Sequence, residues 1–317
     1  MKPIVVVGSI NMDLVSRTER IPQPGETVIG SNFQLHSGGK GANQAVAAAR
    51  LGYPSILLGV IGDDIFGRQL LSTLDGFGVN TSHIGTAVGS SGTASIVVDS
   101  QGENTIIVTS GSNLKVTPDY LRTKLDVLRS AGIVLTQLEI PINTIVWLAD
   151  YCAKSGVPLM LDPAPATELP PTILSSLAWF TPNQTEAAFY TVSGESNEQM
   201  LLRLFGFGVK NVVLKQGSGG ALVATADGSR DRIDIFSVNA LDTTAAGDAF
   251  NGAFCVALMR GQSPMESARF AAAAAAISVT RHGAQSSLPN QLEVMALLES
   301  QSRRADHSLV PDESRFR

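Results

Sequence analysis

The stretch Ile133-Val-Leu-Thr-Gln-Leu138, then Ile142–Lys154, then Pro158-Leu-Met-Leu161 decides the fold. Its outer segments are short, continuous apolar runs, and the segment between them has helix length. A strand with one wet face alternates apolar and polar residues, whereas a strand covered on both faces is apolar almost throughout. Two such strands separated by one helix read as a parallel pair joined by a crossover.

The same rhythm continues outward in both directions. Ile4–Val7, Ile56–Val60, Trp179–Phe180, Val212–Leu214 and Ala221–Ala224 read as further core strands. Ala42–Leu51, Phe66–Phe77 and Asn183–Tyr190 read as helices between them. The expected fold class is therefore α/β, a three-layer doubly wound, mainly parallel sheet. Two segments interrupt it. Residues 11–36 are polar, carry Pro22, Pro24 and Gly25, and alternate briefly around Thr27–Leu35. Residues 92–109 read as a hairpin of Thr93–Val98 and Thr105–Thr109 turning at Asp99–Glu103. These strands form either a separate small sheet, a lid over a site, or an edge extension of the main sheet. After a last helix at Gln291–Ser300 the chain turns polar and mixed in charge, so 301–317 is expected as a disordered tail.

Composition narrows the function. The 317 residues are 44% hydrophobic and 16% charged, enough apolar material for a large core and too much for a disordered chain. At roughly 150 residues per domain the length allows about two domains or one large one. A net charge of −5 carries no basic footprint, so no nucleic-acid partner is expected. Cys152 and Cys255 sit in apolar stretches and exclude a disulfide scaffold. The chain opens directly on a strand without a long apolar leader, and nowhere do 18 apolar residues run together, so a cytoplasmic protein with no membrane partner is expected.

In an open parallel sheet, ligands bind beyond the carboxyl ends of the strands. Those ends deliver Gly8-Ser-Ile-Asn11 with Asp13, then Glu139, Asp162, Thr181-Pro-Asn183 with Glu186, and Lys215-Gln-Gly-Ser-Gly-Gly220. Together they describe one cleft. The sharpest signal is Asp242-Thr-Thr-Ala-Ala-Gly-Asp248, which opens a helical run at Ala249–Arg260. It puts the amides of Ala245, Ala246 and Gly247 at a helix N-terminus, where orphan donors and the dipole attract an anion. Asp248 beside such a site is either a helix cap or a general base. Position alone leaves both open. Ser37-Gly-Gly-Lys40-Gly41-Ala-Asn43 opens another helix. It is not a Walker A loop, since glycine follows the lysine, and Gly8-Ser-Ile is no dinucleotide fingerprint. Its glycines let backbone approach a small polyol closely, and Asn43 can both donate and accept.

Gly8-Ser-Ile-Asn-Met-Asp13, Gly38-Gly-Lys-Gly-Ala-Asn-Gln44, Gln137-Leu-Glu139, Thr181-Pro-Asn-Gln-Thr-Glu186, Asp242–Asp248 and Thr280-Arg-His-Gly-Ala-Gln285 stand in a fixed order. In that order they resemble the ribokinase-like (PfkB-type) family of carbohydrate kinases, over roughly residues 1–300. The resemblance implies ATP-dependent phosphorylation of a sugar hydroxyl, with D-ribose to D-ribose 5-phosphate as the leading case. It implies that Asp248 is the catalytic base and that Ala245, Ala246 and Gly247 form the anion hole. Asn11, Asp13, Gly39, Lys40, Gly41, Asn43 and Glu139 correspond to sugar-binding positions. Asn183, Lys215, Gln216, Gly217, Ser218, Gly219, Gly220 and Gly247 correspond to nucleotide-binding ones, with Glu186 an indirect magnesium position. A potassium ion beside the anion hole is implied at Asp242, Thr244, Ser278, Arg281, Gly283 and Ser287, several through backbone carbonyls. Residues 11–36 and 92–109 match the family's lid, which often pairs two subunits, so a homodimer is implied. Ala272 departs from the family's His or Asn near the adenine. His36 and His282 flank motifs without a second ligand residue. Another sugar or a nucleoside as acceptor, or a sugar-binding regulator without catalysis, are the competing readings.

Overall fold

The computed structural model describes residues 1–308, with side chains through residue 301. Its strands, in chain order, are β1 (Ile4–Val7), β2 (Asn11–Arg17), β3 (Asn32–Gly38), β4 (Ser55–Leu58), β5 (Val60–Gly62), β6 (Gly85–Ala87) and β7 (Gly92–Val98). They continue with β8 (Asn104–Thr109), β9 (Ile133–Thr136), β10 (Leu159–Leu161), β11 (Trp179–Phe180), β12 (Asn211–Lys215), β13 (Ala221–Thr225) and β14 (Arg230–Ile233). Eight of them form the main sheet in the order β14-β13-β12-β11-β10-β9-β1-β4.

From β12 to β4 every pairing is parallel, as the continuous apolar runs require. Each run feeds two cores. Along β1, Ile4 and Val6 face one hydrophobic cluster while Val5 and Val7 face the other, and all four are fully buried. The helices Lys40–Arg50, Ala246–Met259 and Pro264–Ser278 cover the first face; Ile142–Ser155 and Asn197–Gly206 cover the second. Ala271, Ala273 and Ala274 are buried within the first cluster. Gly252 meets the Lys40–Arg50 helix so closely that a Cβ there would lie 2.5 Å from Ala47 and 2.8 Å from the Gln44 carbonyl.

Several boundaries differ from the sequence reading. β13 runs antiparallel to both β12 and β14, because the links 216–220 and 226–229 are too short for a crossover and permit only hairpins. The run expected at 56–60 breaks at Gly59, which packs against Ile10 and the Gly8 carbonyl, and β5 leaves the sheet to pair with β6. The alternation around 27–35 resolves into β3 at Asn32–Gly38, whose start is set by its pairing with Arg17. The expected disordered tail is corrected over 301–308. There the last helix continues as Gln291–Ser308 through residues of good helix propensity such as Gln301, Arg303, Arg304 and Ala305. The remainder, 309–317, lies outside the described residues.

The two interrupting segments do form a separate sheet, in the order β3-β2-β7-β8. β2 pairs antiparallel with β3 and parallel with β7, so Asn11, Asp13 and Val15 share one face. The strand ends of the main sheet and the first residues of β2 lie together.

Candidate active site

Gly39 and Gly41 explain how this corner closes. Gly39 has φ +87° and would put a Cβ 2.7 Å from the Asn11 amide; Gly41 would put one 2.6 Å from Ser9 N. Only glycines let the Lys40–Arg50 helix start directly on the backbone that leaves β1. The Ala42 amide then donates to Ser9 O at 2.9 Å, and the Lys40 amide to Glu139 Oε2 at 3.1 Å. Ser9 Oγ donates to the same Glu139 oxygen at 2.5 Å.

That packing turns Asn43 and Gln44 towards Asp248. Asn43 Nδ2 donates to Asp248 Oδ2 at 2.9 Å, and Gln44 Nε2 donates to Asp248 Oδ1 at 2.9 Å. Asp248 does not cap the helix it stands in. The cap of the Ala246–Met259 helix is Ala245, held in the left-handed region at φ 59°, and Asp248 lies within the first turn. Ala245 is the one non-glycine with positive φ among the described residues, a conformation that costs on the order of 1 kcal/mol or more. No side chain caps this helix. The Ala246 amide donates to Thr243 O at 3.2 Å, while those of Ala245 and Gly247 reach no protein acceptor among the described residues. A helix N-terminus with free amides beside a buried carboxylate can hold an anion and a proton acceptor together.

The charges here are mutually dependent. Burial pushes the Asp248 carboxyl up, the Lys40 ammonium pulls it down, and the Asp162 carboxylate pushes it up again. Burial also disfavours the charged form of Lys40, yet the carboxylates of Asp248, Asp162, Glu139 and Glu186 hold it above the usual lysine range. Asp13 is raised to about 7, by burial first and then by Glu139 and Asp248. Asp162 is buried and accepts from Gln44 Nε2 and Lys215 Nζ, both at 2.9 Å. Gln44 Oε1 accepts in turn from Gln137 Nε2.

A cavity of about 620 Å³ opens from Lys40 and Asp248. Asp162, Asn183, Glu186, Lys215 and Gly247 line its polar end; Ile235, Phe236, Val238, Phe250, Ala272 and Ala276 line an apolar wall. Gly217, Ser218 and Gly220 of the loop after β12 reach it, whereas Gln216 and Gly219 do not. The size and the split between an apolar wall and an amide-bearing end that carries Lys40 and Lys215 fit a nucleoside triphosphate. Asn11, Asp13, Gly39, Gly41, Asn43 and Glu139 adjoin this cavity beyond Lys40 and Asp248, outside its lining.

Asn183 and Glu186 form a capping box. Glu186 N donates to Asn183 Oδ1, and Asn183 N and Nδ2 each donate to Glu186, all at 2.8 Å. Burial pushes the Glu186 carboxyl up against the pull of Lys215. Among the described residues no group of three or more His, Cys, Asp or Glu could hold a metal by itself.

The implied cation positions fall on two loops stitched together. Asp242 accepts from Thr244 N and Gly283 N, each at 2.9 Å, and Val279 O accepts from Leu241 N at 2.7 Å. Burial pushes the Asp242 carboxyl up, but the bonds from Thr244 and Gly283 outweigh it and hold the carboxyl below the usual range. The Arg281 side chain pairs with Glu293, so only its backbone faces this role. Ser278 and Ser287 are buried, each hydroxyl donating to a carbonyl at 2.8 Å. Oxygen donors on a pinned loop fit a hard monovalent cation. His282 Nδ1 stands 3.9 Å from Asp242 Oδ2 and is largely exposed.

Sequence reasoning passed over Asn113 and gave Gln137 no role beyond its place in a motif, because isolated polar residues carry no periodic signal. Comparison with known proteins shows the family. The family model for pfkB family carbohydrate kinases matches residues 1–291. The chain is 40% identical over 303 residues to a ribokinase of Haemophilus influenzae, covering 94% of this chain and 99% of that protein. It is likewise 40% identical over 303 residues to a ribokinase of Bacillus subtilis, covering 94% and 100%. The solved structure of Arabidopsis thaliana ribokinase complexed with ribose and ATP matches with TM-score 0.89 at 37% identity, covering 94% of this chain and 99% of that one.

Proposed function

The chain belongs to the pfkB family of carbohydrate kinases, and on that premise we propose that it transfers the γ-phosphoryl group of ATP to the 5-hydroxyl of ribose. One observation carries the reading. A buried carboxylate, Asp248, held by two side-chain amides, sits in the first turn of a helix at whose start the Ala245 and Gly247 N–H groups reach no protein acceptor among the described residues.

Asp13 and Glu139 accept hydrogen bonds from sugar hydroxyls, and Asn11 and Asn43 complete the polar lining. Lys40 balances the surrounding carboxylates and meets the transferring phosphoryl group. Asp248 takes the hydroxyl proton as the sugar oxygen forms its bond to phosphorus and the bond to the β-phosphate oxygen breaks, leaving ADP. The amides of Ala245 and Gly247, with the shared one of Ala246, meet the charge on the phosphoryl oxygens. Lys215 and the Gly217–Gly220 loop hold the nucleotide, whose base lies on the apolar wall where Ala272 offers no polar contact. Magnesium, when bound, neutralises phosphate charge; Glu186 with Asn183 would hold it indirectly. Potassium would be held by Asp242, Thr244, Ser278, Arg281, Gly283 and Ser287.

The four-stranded sheet serves as a lid over the sugar. Its exposed apolar residues, including Phe33 at 57% and Ile107 at 66% exposure, support a homodimer in which a second copy covers them. The test of the activity is a coupled ADP-release assay across ribose, deoxyribose, fructose, sugar acids and nucleosides. Ribose giving the highest kcat/KM, with phosphate on its 5-oxygen, is expected. Turnover with another acceptor and none with ribose overturns the substrate assignment.

A further inference from the structure

Asn113 belongs to none of the motifs, yet it is 1% exposed and lies against the sugar side. It sits in the short helical turn Gly111–Lys115 that follows β8. Its Oδ1 accepts from the Ile10 backbone N–H at 2.9 Å. A backbone N–H can only donate, so this bond fixes which end of the Asn113 amide is oxygen. The opposite end, Nδ2, donates to Asn11 Oδ1 at 2.7 Å and approaches Ile10 O at 3.4 Å. The orientation of Asn11 follows. Its oxygen is engaged, and its Nδ2 donates to no protein group among the described residues. Gly92 packs against both amides, since a Cβ there would lie 2.2 Å from Asn11 Oδ1 and 2.2 Å from Asn113 Nδ2. Asn11 shares its face of β2 with Asp13, two residues on.

We propose that Asn113 is a positioning residue that locks Asn11 as a hydrogen-bond donor to the sugar. The site then offers one fixed donor, Asn11, beside two acceptors, Asp13 and Glu139. A sugar oxygen that only accepts satisfies Asn11, whereas Asp13 and Glu139 require true hydroxyls. The inference rests on the reading above that Asn11 faces the sugar. It also gives the exit of the β7–β8 hairpin a direct hold on a sugar contact.

The test uses Asn113→Asp, which is nearly isosteric and keeps an acceptor for the Ile10 N–H. On the alkaline side of neutrality the new carboxylate faces Asn11 with an oxygen, and the Asn11 amide must turn over to donate to it. Asn11 then presents its oxygen to the sugar. The readouts are KM for ribose, KM for ATP, kcat, and the same constants for ribose analogues bearing fluorine in place of each hydroxyl in turn. Fluorine accepts weakly and cannot donate. The parent protein is expected to tolerate fluorine at one position that Asn11 serves. In Asn113→Asp the ribose KM should rise roughly tenfold, as expected for a mispaired buried polar group. Its KM for ATP and its kcat at saturating ribose should hold, and fluorine at that position should no longer be tolerated. Asn113→Ala, which frees Asn11 to turn either way, should raise the ribose KM less, with the melting temperature reporting fold integrity. Unchanged ribose KM in Asn113→Asp overturns the proposal, as does a joint loss of ribose affinity, ATP affinity and melting temperature. Calorimetric sugar binding without ATP reads the same contrast independently of turnover. A parent that binds sugar but shows no turnover overturns the proposed activity alone, and one that binds no sugar overturns both.

Discussion

Gln44 Nε2 donates at 2.9 Å to Asp248 Oδ1 and, with its second hydrogen, at 2.9 Å to Asp162 Oδ2. One amide thus bridges two buried carboxylates, and its hydrogen bond to Asp248 opposes the upward push of Asp162 on that carboxyl. Gln44→Leu removes the donor and leaves Asp248 facing Asp162, with Lys40, Asn43 and Lys215 still in place. Its pKa should rise, so the acid limb of the kcat/KM profile should move to higher pH. Turnover near neutrality should fall about tenfold or more and recover in alkali. A uniformly scaled profile with an unmoved limb refutes this role.

Asp248→Asn tests the base itself. The asparagine keeps the volume and can still meet Asn43 and Gln44 after an amide turn, so fold and ribose affinity should hold. Turnover should fall by about 10²- to 10⁴-fold, the usual worth of a general base. Near-normal turnover in the folded variant removes Asp248 from the chemistry.

The Asp13 carboxyl, raised to about 7, makes the sugar-free site pH-sensitive. Below that value it is protonated and has lost an acceptor; above it both oxygens accept. The ribose KM should therefore fall as pH rises from about 6 to about 8. The stability sign is opposite. The native state binds this proton more tightly than the unfolded chain, so stability declines as pH climbs from the unfolded value towards 7. Asp13→Asn should flatten both dependences, measured by initial rates and by thermal melts. A pH-independent ribose KM in the parent would falsify the assignment.

The main sheet was readable because its strands carry one signal twice: Val5 and Val7 serve one core while Ile4 and Val6 serve the other. The helix start at Ala245–Gly247 was readable because a helical run follows these small residues directly. The role of Asp248 was not, since a cap and a base share a sequence position. The backbone at Ala245 removes the cap, and the base is the proposal that Asp248→Asn tests. The network behind Asp248 was equally hidden. Gln44 meets Asp162 and Asp248 across 118 and 204 residues of chain, and nothing local marks such a pairing. β14 escaped because Arg230–Ile233 is a polar edge strand with one buried residue, too short for any period.

Gly41 offers a purely steric prediction. A Cβ there would stand 2.6 Å from Gly8 C and Ser9 N, backbone atoms that cannot move without shifting β1. Gly41→Ala should cost about 1–3 kcal/mol, the range for overpacking, and displace Lys40 and Asn43. A lower melting temperature together with a raised ribose KM is expected. Gly76→Ala is the control, since nothing lies within 4 Å of that position. It should be neutral or slightly stabilising. Equal behaviour of the two variants contradicts the close approach.

The loop carrying Ala245 is braced only from below. Leu241 N and Asp242 N both donate to Val279 O, and Asp242 ties Thr244 N to Gly283 N, yet nothing among the described residues caps Ala245 itself. A residue held at φ 59° relaxes unless its surroundings over-determine it. A potassium ion on the oxygens of this double loop would supply that constraint and a fixed charge beside the anion hole. Replacing potassium with lithium or choline at constant ionic strength should therefore lower kcat by roughly tenfold or more. Asp242→Asn, which keeps an acceptor but removes the charge, should raise the potassium concentration needed for half-maximal rate. Equal rates in all three salts, with the parent and with Asp242→Asn, would leave the strained Ala245 cap to be held by the protein alone.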